Sequence, residues 1–341
     1  MKFDVVAIGS TTRDVFLKTN FKSIPFPKTP TGRAFVVPAG EKIGVDDVYF
    51  TVGGNAANAT VTFSRQGYKA AVLTRIGDDA EGVEVKKKLR QEGISTDFIS
   101  AVSIPTAFSV LLLQAGERTI LSYHGAMESF SLKSVDWGKL KSKWWYVSLP
   151  GESYKLLGQL LKAARENNVS VALNPSFKHL LQGKEELIKC LKDISLLVLN
   201  EGEAAALTNT SFKKPKHVFR KLDELTPGVV VVTSGAKGAV VSDGRFVYKA
   251  GTFKERKLVD RTGAGDAYGS GFVAGLIRVG ETCKVKGVCD PRNIEYAIRL
   301  ASANATSVVE KLGATEGTLT KKEFDNSPRF RNLAIVRRKI F

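Results

Sequence analysis

The segment Asp260-Arg261-Thr262-Gly263-Ala264-Gly265-Asp266 carries the most concentrated chemistry in this chain. Its small residues allow a tight turn and a close backbone approach to a ligand. The apolar stretch behind it predicts a helix over Ala264–Val279. Free N–H groups and the positive end of a helix dipole would then meet at the turn, where they attract an anion such as a phosphate. Asp266 would repel that anion. A carboxylate there makes sense if it takes a proton from a hydroxyl that then attacks the phosphate. That is phosphoryl transfer, with a carboxylate base and a backbone nest that stabilises charge on the transferred group. The plainer account is a helix with a glycine-rich entry and an acidic first turn.

A second cluster is Gly53-Gly54-Asn55-Ala56-Ala57-Asn58-Ala59-Thr60. Asn55 and Asn58 stand three apart, share a helix face and could present amides to sugar hydroxyls. Taken alone, the segment is better explained as an Asn N-cap before a tightly packed helix. Polar residues also follow three strand-like runs: Asn200-Glu201-Gly202-Glu203, Asn174-Pro175, and Thr233-Ser234-Gly235-Ala236-Lys237-Gly238. Each is an ordinary turn by itself. Together they suggest one site, because open α/β sheets bind ligands beyond the carboxyl ends of their strands. No G-x-x-x-x-G-K-[ST], H-E-x-x-H or G-x-S-x-G motif is present, and His124, His179 and His217 stand alone.

The elements that must position these residues alternate strand and helix. Strands are expected at Val5–Ile8, Ala71–Thr74, Trp144–Val147, Val169–Leu173, Leu196–Leu199 and Val229–Thr233, with a strand-like approach at Lys257–Val259. Helices are expected at Asn55–Gln66, Gly82–Glu92, Ser153–Glu166, Ala204–Leu207, Pro215–Leu225 and Arg292–Lys311. This rhythm implies a mostly parallel sheet covered on both faces. Residues 10–52 and 98–124 break it. The second holds strands at Ala107–Gln114 and Thr119–His124 around a turn at Ala115–Arg118, and both regions suit a small antiparallel sheet. Residues 1–325 read as a single domain, with residues 326–341 as a basic C-terminal segment that packs as a final strand or helix.

Composition sets the outer bounds. Hydrophobic residues make up 43% and charged residues 25%, as in ordinary globular proteins. Fifty-one Lys and Arg against 34 Asp and Glu leave +17, which raises the question of a polyanionic partner. The Lys86-Lys87-Lys88 run falls on an expected helix and reads as a solvated face, without the aromatic interleaving of a stacking platform. No nucleic-acid or membrane partner is expected. Cys190, Cys283 and Cys289 are too few and too irregular for a disulfide framework or zinc site, so a reducing cytoplasm is expected.

With both motifs in this order, the chain resembles the ribokinase-like (PfkB) family of sugar and nucleoside kinases from about residue 3 to 320. The first signature is Gly53–Asn58 running through Arg75-Ile76-Gly77-Asp78-Asp79 and Gly82; the second is Asp260–Asp266. Glu117-Arg118-Thr119 through Tyr123-His124-Gly125-Ala126 resembles the family's lid strand. The resemblance implies a three-layer α/β/α sandwich with a mostly parallel central sheet and a small β lid formed by about 10–52 and 98–124. It implies ATP-dependent phosphorylation of a small sugar, a nucleoside being the alternative acceptor and a catalytically silent regulatory member the other reading. It implies Asp266 as base and Gly263, Ala264 and Gly265 as the anion hole. Asp14, Gly53, Gly54, Asn55 and Asn58 would bind the acceptor, and Asn200, Thr233, Ser234, Gly235 and Gly238 the nucleotide. Glu203 would organise Mg2+ through water, and Asp260 with the loop near Gly313 a monovalent cation such as K+. A homodimer through the lid is a further implication. Asn55 stands where typical ribokinases carry Lys, and Arg261 where Thr is common. A basic cluster in the pocket would favour a sugar phosphate, with Arg13, Arg33 and Arg118 as its candidates.

Overall fold

The computed structural model describes residues 2–340 apart from 30, 31, 115, 116, 134 and 284–287, and leaves the Glu117 side chain aside. The strands are β1 (Phe3–Gly9), β2 (Thr12–Lys18), β3 (Lys22–Pro25), β4 (Arg33–Val36), β5 (Asp47–Gly53), β6 (Ala70–Gly77), β7 (Ile99–Val102), β8 (Phe108–Gln114), β9 (Glu117–Tyr123), β10 (Ser142–Ser148), β11 (Ser170–Leu173), β12 (Leu196–Asn200), β13 (Val229–Thr233), β14 (Ala239–Ser242), β15 (Phe246–Ala250) and β16 (Ile335–Lys339). The helices are α1 (Asn55–Arg65), α2 (Ala80–Gln91), α3 (Leu157–Glu166), α4 (Phe177–Gln182), α5 (Lys184–Cys190), α6 (Glu201–Thr208), α7 (Pro215–Leu225), α8 (Ala264–Arg278), α9 (Pro291–Val308) and α10 (Lys321–Asn326).

Ten strands form the main sheet in the order β16-β15-β14-β13-β12-β11-β10-β1-β6-β7. It is parallel from β13 through β7, because helices carry the chain back between strands. The short turn after β13 instead reverses the chain, so β14, β15 and β16 run antiparallel. Alternating residues explain the two covered faces. Val5, Ala7, Trp144 and Tyr146 pack with Phe63, Phe272 and Ile298 of α1, α8 and α9. Val6, Ile8, Trp145 and Val147 pack with Leu160, Leu207 and Phe219 of α3, α6 and α7. The result is a three-layer α/β/α sandwich, as the resemblance implies, around the mostly parallel, doubly covered sheet expected from the strand and helix rhythm.

The lid is a second sheet, ordered β5-β2-β8-β9. Its outer pairings are antiparallel and the central β2–β8 pairing is parallel. β3 and β4 make a separate hairpin.

Several expectations shift. Residues 98–106 do not join the lid sheet: Ile99 pairs with Thr74, so β7 extends the main sheet. Lys257–Val259 forms no strand, and Leu258 and Val259 stay exposed. The basic segment 326–341 packs on the body as expected, supplying the final strand β16 beside β15. Ser153–Glu166 opens as a 3-10 turn, Gly151–Leu156, before α3. Within the expected turn at 115–118, Ala115 and Gly116 lie outside the described residues. Strands β14 and β15 and helices α4, α5 and α10 were not anticipated.

α8 and α9 pack closely through small residues. A Cβ on Gly275 would lie 2.6 Å from Ala297 Cα, and one on Gly271 2.9 Å from Ala301 Cα. Gly275→Ala should therefore force the pair apart and cost about 1–3 kcal/mol. Urea unfolding measures it; an unchanged midpoint would show that the helices separate freely.

Candidate functional site

α8 starts where only glycine fits. Gly263 has φ 76°, and a Cβ there would lie 2.7 Å from Ala314 O. The turn before it is tied by Asp260. Its Oδ1 accepts from Thr262 N–H (3.0 Å) and Thr262 Oγ1 (2.8 Å), and its Oδ2 from Gly313 N–H (3.3 Å). Arg118 of the lid places Nη1 3.7 Å from the same Oδ1. Ala264 N–H donates to Arg261 O at 3.3 Å, while the next two first-turn amides of α8, Gly265 and Asp266, have no carbonyl one turn back to bond and can take an anion.

Asp266 sits in that first turn, at the floor of a cleft that still leaves it partly open. Surrounding protein strips water from the carboxyl and pushes it up to about 6. Asn58 opposes this by donating Nδ2 to Oδ2 at 2.9 Å. Glu203 is raised as well, first by burial and also by the Asp266 charge, so the two carboxylates feel each other. Glu203 also closes a capping box: its Oε2 accepts Asn200 N–H (2.8 Å), and Asn200 Oδ1 accepts Glu203 N–H (2.9 Å).

The second cluster faces Asp266 from α1. Gly54 has φ 94°, and a Cβ there would strike Ser10 O at 2.6 Å. A Cβ on Gly53 would lie 1.9 Å from Asp14 Oδ2, so the glycine makes room for that carboxylate. Asn55 points its amide to Ser148 Oγ at 2.9 Å. Asp14 is buried and raised by burial, while hydrogen bonds from Thr12 and Ser109 pull it back. Strand register sets Thr51, Asp14 and Ser109 side by side across β5, β2 and β8. Sequence reading missed Thr51 and Ser109, whose place depends on pairings between distant strands. Thr11 Oγ1, Thr51 Oγ1 and Asn58 Oδ1 are buried without a protein hydrogen-bond partner. Such atoms normally have a protein or water partner.

Beside the start of α8 lies a cavity of about 270 Å³. Thr233, Gly235 and Gly238 line it, together with Ala264 and Gly265. Asn200 and Ser234 are not on its wall. Arg261 of the second signature also lines the cavity; sequence reading missed Thr252, Phe253, Leu258 and, on α9 and its C-cap, Ser302, Ala305, Thr306 and Val309. The α9 set recurs at helical spacing, a signal that could have shown a face turned to a ligand. A larger hollow of about 630 Å³ lies at the opposite ends of β1, β10 and β11 and contains none of these residues. Asn174 and His179 are structural. Asn174 donates to Val198 O at 3.0 Å. His179 is buried, stacked 5.0 Å from Tyr154, and pushed down to about 4 by burial, so it is a neutral core residue.

A raised carboxyl costs the fold stability once ionised. Folded Asp266 holds its proton more tightly than the unfolded chain, so its favourable contribution is complete below the ordinary value of 3.8 and is lost as pH rises through about 6. Asp266→Asn should be more stable than the parent by about 1–3 kcal/mol at pH 7.5, with the gap narrowing at pH 4.5. Urea unfolding at both values tests this; a gap independent of pH would contradict it.

Residues 2–321 match the model described as pfkB family carbohydrate kinase. The chain is 30% identical over 296 residues to a ribokinase of Haemophilus influenzae, covering 83% of this chain and 89% of the relative. It is 28% identical over 269 residues to a cytidine kinase of Thermococcus kodakarensis, covering 76% and 88%. The fold matches the Arabidopsis thaliana ribokinase complexed with ribose and ATP, with a TM-score of 0.77, 21% identity, and coverage of 97% of this chain and 100% of that one. The chain belongs to the pfkB family of carbohydrate kinases, phosphotransferases that use an alcohol group as acceptor.

Proposed function

We propose that this kinase transfers the γ-phosphoryl group of ATP to a hydroxyl of a small sugar, in the manner of a ribokinase or fructokinase. The observation that carries the reading is the Asn58–Asp266 hydrogen bond, which joins a hydroxyl-reading face to a carboxylate at an anion-binding helix end. Asp266 is the general base. The acceptor hydroxyl passes its proton to that carboxylate as its oxygen attacks phosphorus. The backbone at Gly263, Ala264 and Gly265 forms the anion hole for the charge that builds on the transferred group.

The nucleotide occupies the cavity lined by Thr233, Gly235 and Gly238, with Asn200 and Ser234 at its edge, and its phosphates run toward the start of α8. The Arabidopsis relative bound to ATP supports this assignment. Two carboxylates raised by burial, Glu203 also by the Asp266 charge, suit a divalent cation, so Glu203 would hold Mg2+ through water. Mg2+ would neutralise phosphate charge. A monovalent cation at Asp260 fits less well, because Thr262, Gly313 and Arg118 already answer that carboxylate.

A polar pocket favours a sugar. Asp14, Asn58 and the unpartnered Thr11 and Thr51 hydroxyls match a polyol, with Gly53, Gly54 and Asn55 shaping the wall. A phosphate already on the acceptor would meet little positive charge there. Arg13 is held by Glu81 at 2.9 Å, and Arg33 bonds Ser23 on the outer hairpin. Arg118 alone of the three approaches the anion hole. The cytidine kinase relative keeps a nucleoside as the second reading.

A coupled ADP-release assay with Mg-ATP, run over pentoses, hexoses, sugar phosphates and nucleosides, tests the assignment. Turnover on a free sugar is expected. Asp266→Asn should lower kcat roughly 10²–10⁴-fold while ATP binding survives. Asp14→Ala should raise the acceptor KM about 10–100-fold and leave the ATP KM nearly unchanged. With Asp266 poised near 6, kcat/KM should fall tenfold per unit below about pH 6. Retained turnover in Asp266→Asn would remove the base assignment. Turnover on nucleosides alone would select the second reading, and silence with ATP bound would point to a regulatory member.

The lid also suits a homodimer. Its two edge strands expose Val48, Tyr49 and Phe50 on β5, and Ile120, Leu121 and Tyr123 on β9. Open edges with apolar side chains invite pairing, and a second copy would cover both. Leu121→Lys should shift the protein from dimer to monomer in sedimentation; a monomeric parent would sink the idea.

A further inference from the structure

The connection between α8 and α9 brings together two cysteines whose spacing looked irregular in sequence. Cys283 and Cys289 are both buried, and their Sγ atoms lie 2.6 Å apart. The third cysteine, Cys190, ends α5 elsewhere in the fold. A shared zinc ion would hold two sulfurs about 3.7 Å apart, given Zn–S bonds of ~2.3 Å and a tetrahedral angle. Glu281 is the one further ligating group near the pair among the described residues. It is already committed to the loop, accepting Asp290 N–H (3.3 Å) and Asn293 Nδ2 (2.9 Å) through Oε1. The Cys289 sulfur and burial both raise the Cys283 thiol, and the nearby Glu281 and Asp243 raise it further. The Cys283 backbone also adopts a left-handed conformation, φ 48°, which a residue with a Cβ takes up only at a cost.

We propose that Cys283 and Cys289 are a disulfide-forming pair that ties the exit of α8 to the entry of α9. Each thiol gives up its hydrogen as the S–S bond forms. The two electrons and two protons reduce a small-molecule disulfide such as oxidised glutathione, whose own S–S bond breaks to give two thiols. The bond forms while the connection is still open and is then shielded by burial. The pair sits at the end of α8 away from Asp266, so the tie acts on stability rather than on turnover. It holds Asp290, the N-cap of α9, whose side chain accepts from Arg292 N–H at 2.8 Å.

The full-length protein, incubated with oxidised glutathione, is unfolded in the presence of iodoacetamide and weighed intact. The expected result is one alkyl group, on Cys190, and a peptide in which Cys283 and Cys289 are linked. Reduction before alkylation should give three alkyl groups. It should also lower the thermal midpoint by roughly 3–10 °C with the sugar-kinase rate unchanged. Cys190→Ser should then leave no thiol to titrate without reductant. Three alkyl groups after oxidation would overturn the proposal. So would a stoichiometric zinc ion that protects Cys283 and Cys289 from alkylation and is lost to a chelator. The mass measurement needs no variant, so it decides even if Cys283→Ala or Cys289→Ala fails to fold.

Discussion

The hydrogen bond from Asn58 to Asp266 joins residues 208 positions apart, and most of the site follows from it. It can form because α1 and α8 lie side by side on one face of the sheet, with both N-terminal ends at the carboxyl edge of the strands. Asn304 of α9 fixes that placement from beneath. Its amide nitrogen donates to Thr62 Oγ1 (3.1 Å) and Ala267 O (2.9 Å), and its oxygen accepts Leu319 N–H (3.0 Å). A fully buried amide with every partner met is rigid, because any shift would strand a polar atom in a low-dielectric interior. The direction of the Asp266 carboxylate is thus set by core packing rather than by a loop.

That placement conflicts with stability. A carboxylate surrounded by protein and facing a second one at Glu203 resists ionisation, and both groups are raised. The structure offsets only part of this, through the Asn58 donor and the capping box at Asn200. A fold optimised for stability alone would place an amide at residue 266. On the proposed reading that cost is the cost of a charged base, and the raised carboxyl and the anion-binding helix end are read together.

Both signatures were legible in the sequence because their chemistry is local. Gly53, Gly54 and Gly263 are needed where a Cβ would strike backbone or Asp14, and those needs lie within a few residues of the polar groups they serve. The parallel sheet was legible because its apolar runs are buried on both faces. What escaped depends on pairings far apart in the chain. Thr51 and Ser109 matter only because register sets them beside Asp14. Leu258 was taken as part of a strand since it is apolar, yet it lines the cavity beside α8. An apolar residue in a binding wall and one in a strand give the same pattern in sequence. Ile99 was misplaced for the converse reason: a four-residue strand beyond the regular rhythm carries too little pattern to say which sheet it joins.

The lid explains how so buried an acceptor site can be filled. Asp14 is 6% exposed, so on the proposed reading an acceptor reaches it only when the lid opens. Two ion pairs fasten lid to body: Arg13 to Glu81, and Arg118 to Asp260. In each pair one partner reaches solvent, and such pairs are worth about 0–1 kcal/mol each. Breaking both is therefore a small cost, within reach of thermal motion. On the proposed reading, closing would be favoured more strongly once an acceptor is present, because its hydroxyls would pair with Thr11, Thr51 and Asn58. Closure also expels water, the competing acceptor for the phosphoryl group. On that reading the unpartnered hydroxyls would serve twice, reading the substrate and coupling its arrival to the shutting of the site.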